Sequence, residues 1–98
     1  MKEKIIKMAL NNLSAARGDS QGEINIQWDA AENAVQYIIE IAAQSNSKEI
    51  RWKVIDIISE SHYTVKKLKS NKNYFFRITS DDGTGREEFS RKVIKKAP

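Results

Sequence analysis

The sequence predicts an all-β fold of seven short strands in an antiparallel sandwich or barrel. Three observations carry that prediction. Apolar and polar residues alternate with a period of two, as in Ile24, Ile26 and Trp28 against Glu23, Asn25 and Gln27. Such alternation marks strands with one face in a core and the other in water. Clusters of Gly, Asp, Asn and Ser interrupt the alternating runs at regular spacing. The chain has 98 residues, enough for one domain, and no cysteine, so an apolar core must hold it together without disulfides.

The elements follow in order. The first strand is expected over residues 8–16 and the second over 23–29, around Ile24, Ile26 and Trp28. The third spans 34–43, where Val35, Tyr37, Ile39 and Ile41 alternate. The stretch from Ala30 to Ala43 has some helical propensity, but β-branched and aromatic residues at period two outweigh it. The fourth, 49–57, is less regular: Trp52, Val54 and Asp56 form a partly broken set. The fifth covers 62–67, with Tyr63 and Val65 leading into Leu68. The sixth covers 73–80, where Tyr74, Phe76 and Ile78 alternate with Phe75, Arg77 and Thr79. The seventh is expected over 87–95.

Composition narrows the function classes. A net charge of +4 is too small to imply nucleic acid by itself. The lysine-rich start, Met1 to Lys7, lacks the apolar run of a signal peptide, because Asn11, Asn12, Ser14 and Arg17 interrupt it. No segment approaches the roughly 20 apolar residues needed to cross a bilayer as a helix.

The spacing resembles the fibronectin type III domain. The carriers are Ile24-x-Ile26-x-Trp28, Tyr37 in the third strand, and Trp52 at a position where many members place an aromatic residue. Most specific is Leu68, a short loop, then Tyr74-Phe75-Phe76-Arg77-Ile78. Gly83, Gly85 and Ser90 are similar to the glycine-containing loop and serine before the family's last strand. The resemblance implies a seven-stranded Greek-key sandwich over residues 9–95, with residues 1–8 a junction or the start of the first strand, and 96–98 a tail. It implies a core of Trp28, Tyr37, Trp52, Leu68, Tyr74 and Phe76. The Tyr74 hydroxyl is expected to bond backbone a few residues upstream. The chain departs from the family in having Ser70, not proline, in that corner loop. Another cysteine-free immunoglobulin-like sandwich is the structural alternative.

Candidate chemistry is sparse. His62, the single histidine, precedes inward Tyr63 and is expected to face solvent. The run Asp81-Asp82-Gly83-Thr84-Gly85 supplies too few oxygens for calcium and reads as a turn. Lys66, Lys67, Lys69 and Lys72, with Lys92, Lys95 and Lys96, read as a solvated face. Arg17-Gly18-Asp19 matches the adhesion tripeptide of one family member, but lies between the first two strands rather than the last two. Turn residues are the ordinary reading there.

A contact face is the remaining candidate. If Tyr74 and Phe76 point inward, Phe75 points outward, and Ile38 does so on a neighbouring strand. With Ile55 and Arg77 they are expected to form an apolar patch with a basic rim. No catalytic residue, metal site or cofactor is expected. The expected function is a non-catalytic spacer or interaction module, with adjacent domains, another protein or a polysaccharide as partner, and a monomer when isolated. The expected setting is a larger microbial secreted or surface protein, since 13 isoleucines and 12 lysines suggest a low-GC source. The alternative is an adhesion ligand presenting Arg17, Gly18 and Asp19 to an integrin-like receptor.

Overall fold

Eight strands and no helix make up the described residues, 11–46, 49–84 and 87–98, of a computed structural model. They are β1 (Ser14–Arg17), β2 (Ile24–Gln27), β3 (Gln36–Ala43), β4 (Lys53–Ile58), β5 (His62–Val65), β6 (Asn73–Asp81), β7 (Glu87–Phe89) and β8 (Val93–Lys96). All pairing is antiparallel. One sheet has the order β1-β2-β5. The other has the order β4-β3-β6-β7, with β8 also on β6. The helical alternative over 30–43 is thus excluded: β3 occupies its second half.

Period-two alternation builds the core as expected. Ile24, Ile26 and Trp28 leave one sheet and meet Tyr37, Ile39, Tyr74, Phe76 and Ile78 from the other, all buried. Trp28 packs edge-on against Tyr37 with ring centroids 5.4 Å apart. The Tyr37 hydroxyl also accepts a hydrogen bond from the Ala31 N–H at 2.9 Å, which ties the β2–β3 loop to the core. The Trp28 indole N–H is buried and meets no acceptor among the described residues.

The corner before β6 joins three distant segments. The Tyr74 hydroxyl accepts from the Lys69 N–H at 3.0 Å, while Leu68 packs against the core. Ser70, where proline is usual, donates its hydroxyl to the Pro98 carbonyl and accepts from the Gln21 amide. Asn71 adopts a positive φ of 66° and donates its N–H to the Ala97 carbonyl. Residues 96–98, read from sequence as a tail, lie within this junction. Lys96 belongs to β8, Ala97 is buried in the core, and the Pro98 carbonyl accepts from the Gly22 N–H. Residues 1–8 lie outside the described residues.

Three expectations need correction. The seventh strand is broken at Ser90 into β7 and β8, which pair with opposite ends of β6. Val35 is 58% exposed, because it precedes β3 and lies over the loop at Gly83 rather than between the sheets. In β4 the inward and outward positions are interchanged over residues 52–55. There Glu40 pairs with Val54 and Ile39 with Asp56, so Ile55 is an extra, unpaired residue. One inserted residue reverses which parity faces the core. Ile55, expected outside, therefore packs against the core. Trp52, expected inside, sits on the outer surface of the sheet with Arg77 over its ring.

Candidate interaction face

The outer surface of the β4-β3-β6-β7/β8 sheet is built in rows set by strand register. At one end Gln36, Asp81 and Glu87 align. Next come Ile57, Ile38, Thr79 and Phe89. The middle row is Val54, Glu40 and Arg77. Below it lie Ala42, Phe75 and Ile94, with Trp52 alongside. At the far end Asn73 aligns with Lys96. Successive rows lie two residues apart, so all these side chains share one face.

That face is unusually apolar for a surface. Five large hydrophobic residues are markedly exposed among those described, and four of them, Val54, Ile57, Phe89 and Ile94, lie here at 48–51% exposure. Single exposed apolar side chains are ordinary on monomers, whereas a contiguous set marks contact surfaces. Ile38 and Phe75 are half-buried by their neighbours. Thr79, between Ile38 and Phe89, is only 3% exposed.

The two charged groups of the middle row are paired with each other. Arg77 donates to both carboxylate oxygens of Glu40, at 2.8 and 3.2 Å. Its guanidinium carbon lies 4.3 Å from the Trp52 ring centroid. The indole thus supports a cation whose charge is already met by Glu40. The Lys92 ammonium lies 5.8 Å from the Phe75 centroid.

Of the residues expected here, Ile38, Phe75 and Arg77 share the face, and Ile55 does not. Trp52, Val54, Ile57, Phe89 and Ile94 join it. Phe89 and Ile94 are five positions apart, which in an unbroken strand puts them on opposite faces; the interruption at Ser90 brings them to the same one. No signal in the local sequence pattern reports that change of parity. The β4 positions had a weaker signal, since the run Val54-Ile55-Asp56-Ile57-Ile58 is apolar at both parities.

The other candidates have simpler environments. His62 is exposed on β5, opposite Gln27. Asp81 accepts from the Gly83 N–H, and Asp82 accepts from the Thr84 N–H and hydroxyl, so both carboxylates serve the turn. Gly85 lies outside the described residues. Among the described residues no three acidic or histidine side chains converge as metal ligands do. Arg17 ends β1, and Gly18 is pinned by an N–H bond of 2.8 Å to the Glu23 carbonyl. Arg17 and Asp19 are exposed, but on a short closed hairpin rather than a projecting loop.

The half-buried Tyr63 on β5 bonds to the Asp56 carboxylate on β4, linking the two sheets across their open edge. Burial first, then this carboxylate as hydrogen-bond partner and negative charge, raise the Tyr63 hydroxyl above its ordinary pKa.

Several solved structures share this architecture. A Fn3-like protein from Clostridium thermocellum superposes with a TM-score of 0.74 at 23% identity, over 91% of each chain. The sixth fibronectin type III domain of human fibronectin type III domain containing protein 3 gives 0.76 at 15% identity, over 100% of this chain and 91% of that one. The FN5 domain of Drosophila Lar gives 0.71 at 16% identity, over 91% and 94%. No curated protein matches in sequence. The fibronectin type III domain profile matches residues 9–96, taking in the Trp28 core, the Tyr74 corner and the serine that interrupts the last strand. With the two-sheet order and the tyrosine corner both in place, the chain belongs to the fibronectin type III family.

Proposed function

We propose that this domain is a non-catalytic contact module, which docks against another polypeptide through the outer surface of its larger sheet. Fibronectin type III domains are in general structural modules of larger proteins, and this chain has their architecture. The observation that carries the reading is the gathering of Val54, Ile57, Phe89 and Ile94 on one face around a neutralised Arg77–Glu40 pair. Apolar surface with a few satisfied polar groups is what the buried centre of an interface needs. The lysine- and isoleucine-rich composition supports a low-GC microbial source, and by analogy with modular proteins the domain's place is in a secreted or surface protein. The Arg17–Asp19 hairpin has less support as an adhesion ligand, because its glycine is closed down on Glu23.

Methyl resonances of Val54, Ile57 and Ile94 test the proposal in the isolated domain and in the intact parent protein. Contact shifts them in the parent, and Ile57→Ser with Phe89→Ser abolishes the shift while leaving the fold intact. Resonances that coincide in the two settings would sink the reading.

A further inference from the structure

We infer that the partner of this face is a second copy of the same chain, packed sheet against sheet with its strands running the opposite way. The inference rests on the contact reading above and names its occupant. What points to it is the order of chemistry along the strands. Acidic Asp81 and Glu87 stand in the first row, and basic Lys96 stands in the last. Glu87 and Lys96 are both exposed. The rows between are apolar, ion-paired, apolar. That sequence is complementary to its own reverse.

A two-fold axis lying in the interface and crossing the strands at the Glu40–Arg77 row performs this reversal. It keeps each strand over its counterpart and exchanges the two ends. Glu87 then meets Lys96 of the second copy, and Lys96 meets Glu87 of the second copy. The apolar rows exchange as well. Phe89 lies over Ile94 of the second copy, and Ile57 over Trp52 of the second copy. In the central columns the half-buried Ile38 and Phe75 face the rows of Ala42 and Thr79 of the second copy, which are 3% exposed and recessed beneath their neighbours. Isologous interfaces need this self-complementarity. The two Arg77 side chains approach at the axis, where each has its charge met by Glu40 and its flat side on Trp52. Packing with strands parallel in direction, about an axis along the strands, sets the β7/β8 column over β4 of the second copy, so Glu87 and Lys96 no longer meet each other.

The size of the face sets the strength. β6 has nine residues, so the face is about 27 Å long, and its four columns are about 19 Å wide, roughly 500 Å² per copy. Two copies cover on the order of 1,000 Å², the lower limit for a specific interface. The pair is therefore weak and reversible, with affinity in the micromolar range or weaker.

Sedimentation equilibrium of the 98-residue chain up to about 1 mM, at low salt, reads this directly. A concentration-dependent dimer is expected, with the Val54, Ile57 and Ile94 methyl resonances shifting as it forms. Glu87→Lys and Lys96→Glu each weaken it roughly tenfold, because each creates two like-charge contacts. The double variant Glu87→Lys/Lys96→Glu restores it to within about threefold. Both residues are exposed, so the folded domain tolerates the exchanges. A monomer throughout the range overturns the inference, while face methyls that still shift in the parent leave the contact reading intact. A dimer insensitive to both single exchanges, or not restored by the double one, also overturns it.

Discussion

Ser90 holds both backbone groups of Ile78. Its N–H donates to the Ile78 carbonyl and its hydroxyl accepts from the Ile78 N–H, each at 2.9 Å. The hydroxyl also donates to the Arg91 carbonyl at 2.8 Å. A side-chain oxygen thus takes the place of a backbone carbonyl where the last strand breaks. Both residues are buried. Replacing Ser90 with Ala removes that acceptor and leaves a buried N–H without its partner, at a cost of about 1–3 kcal/mol. Urea denaturation checks this, with exchange of the Ile78 amide as the local readout. Unchanged protection at Ile78 would show that the hydroxyl is dispensable.

Tyr74 separates burial from hydrogen bonding. Tyr74→Phe keeps the ring and loses the bond from the Lys69 N–H, so about 0.5–1.5 kcal/mol is expected to be lost. Tyr74→Ala also removes the ring from the core, where about 3–5 kcal/mol is expected. A comparable loss from both, measured by chemical denaturation, would mean that the ring contributes little.

Among the described residues, Gly22 is the one glycine whose conformation and surroundings both exclude a side chain. Its φ is 78°, and a Cβ placed on it meets the Leu68 carbonyl oxygen at 2.8 Å. Its own carbonyl accepts from the Leu68 N–H, and its N–H donates to the Pro98 carbonyl. Gly22→Ala is expected to destabilise the domain by about 1–3 kcal/mol. It should also release the C-terminal residues, seen as faster exchange of the Ala97 amide. A melting temperature equal to the parent's contradicts this.

Tyr63 predicts a dependence on alkaline pH. Its folded pKa lies above the ordinary value of 10.0, so folding favours the protonated hydroxyl. The associated stability is present in full below pH 10 and declines as pH rises through the folded value. Tyr63→Phe removes this contribution, so the stability difference between the two proteins should narrow over the range in which pH rises above 10.0 and through the folded value. Urea denaturation across that range checks it, and a difference constant with pH would contradict it.

Much of the fold was legible because two strands alternate cleanly. Ile24, Ile26 and Trp28, and then Tyr74, Phe76 and Ile78, present large apolar groups at one parity, so their burial follows from the pleat alone. The corner was legible from Leu68 and Tyr74, whose spacing places a ring in the core and a hydroxyl at the backbone of Lys69. The face was legible only in part. Ile38, Phe75 and Arg77 were within reach because they flank clean alternation on β3 and β6.

By itself the sequence determined the class of fold, the central core and the strands that carry it, since each strand's own pattern specifies which parity is dry. Only the tertiary structure decided the phase of the edge strands. Near Ile55 and Ser90 one partner strand takes in extra residues, and every side chain beyond changes sides. A local pattern that is apolar at both parities does not record where that happens. Pairing with β3 and β6 does: it moved Trp52 to the surface and set Phe89 and Ile94 on the same face.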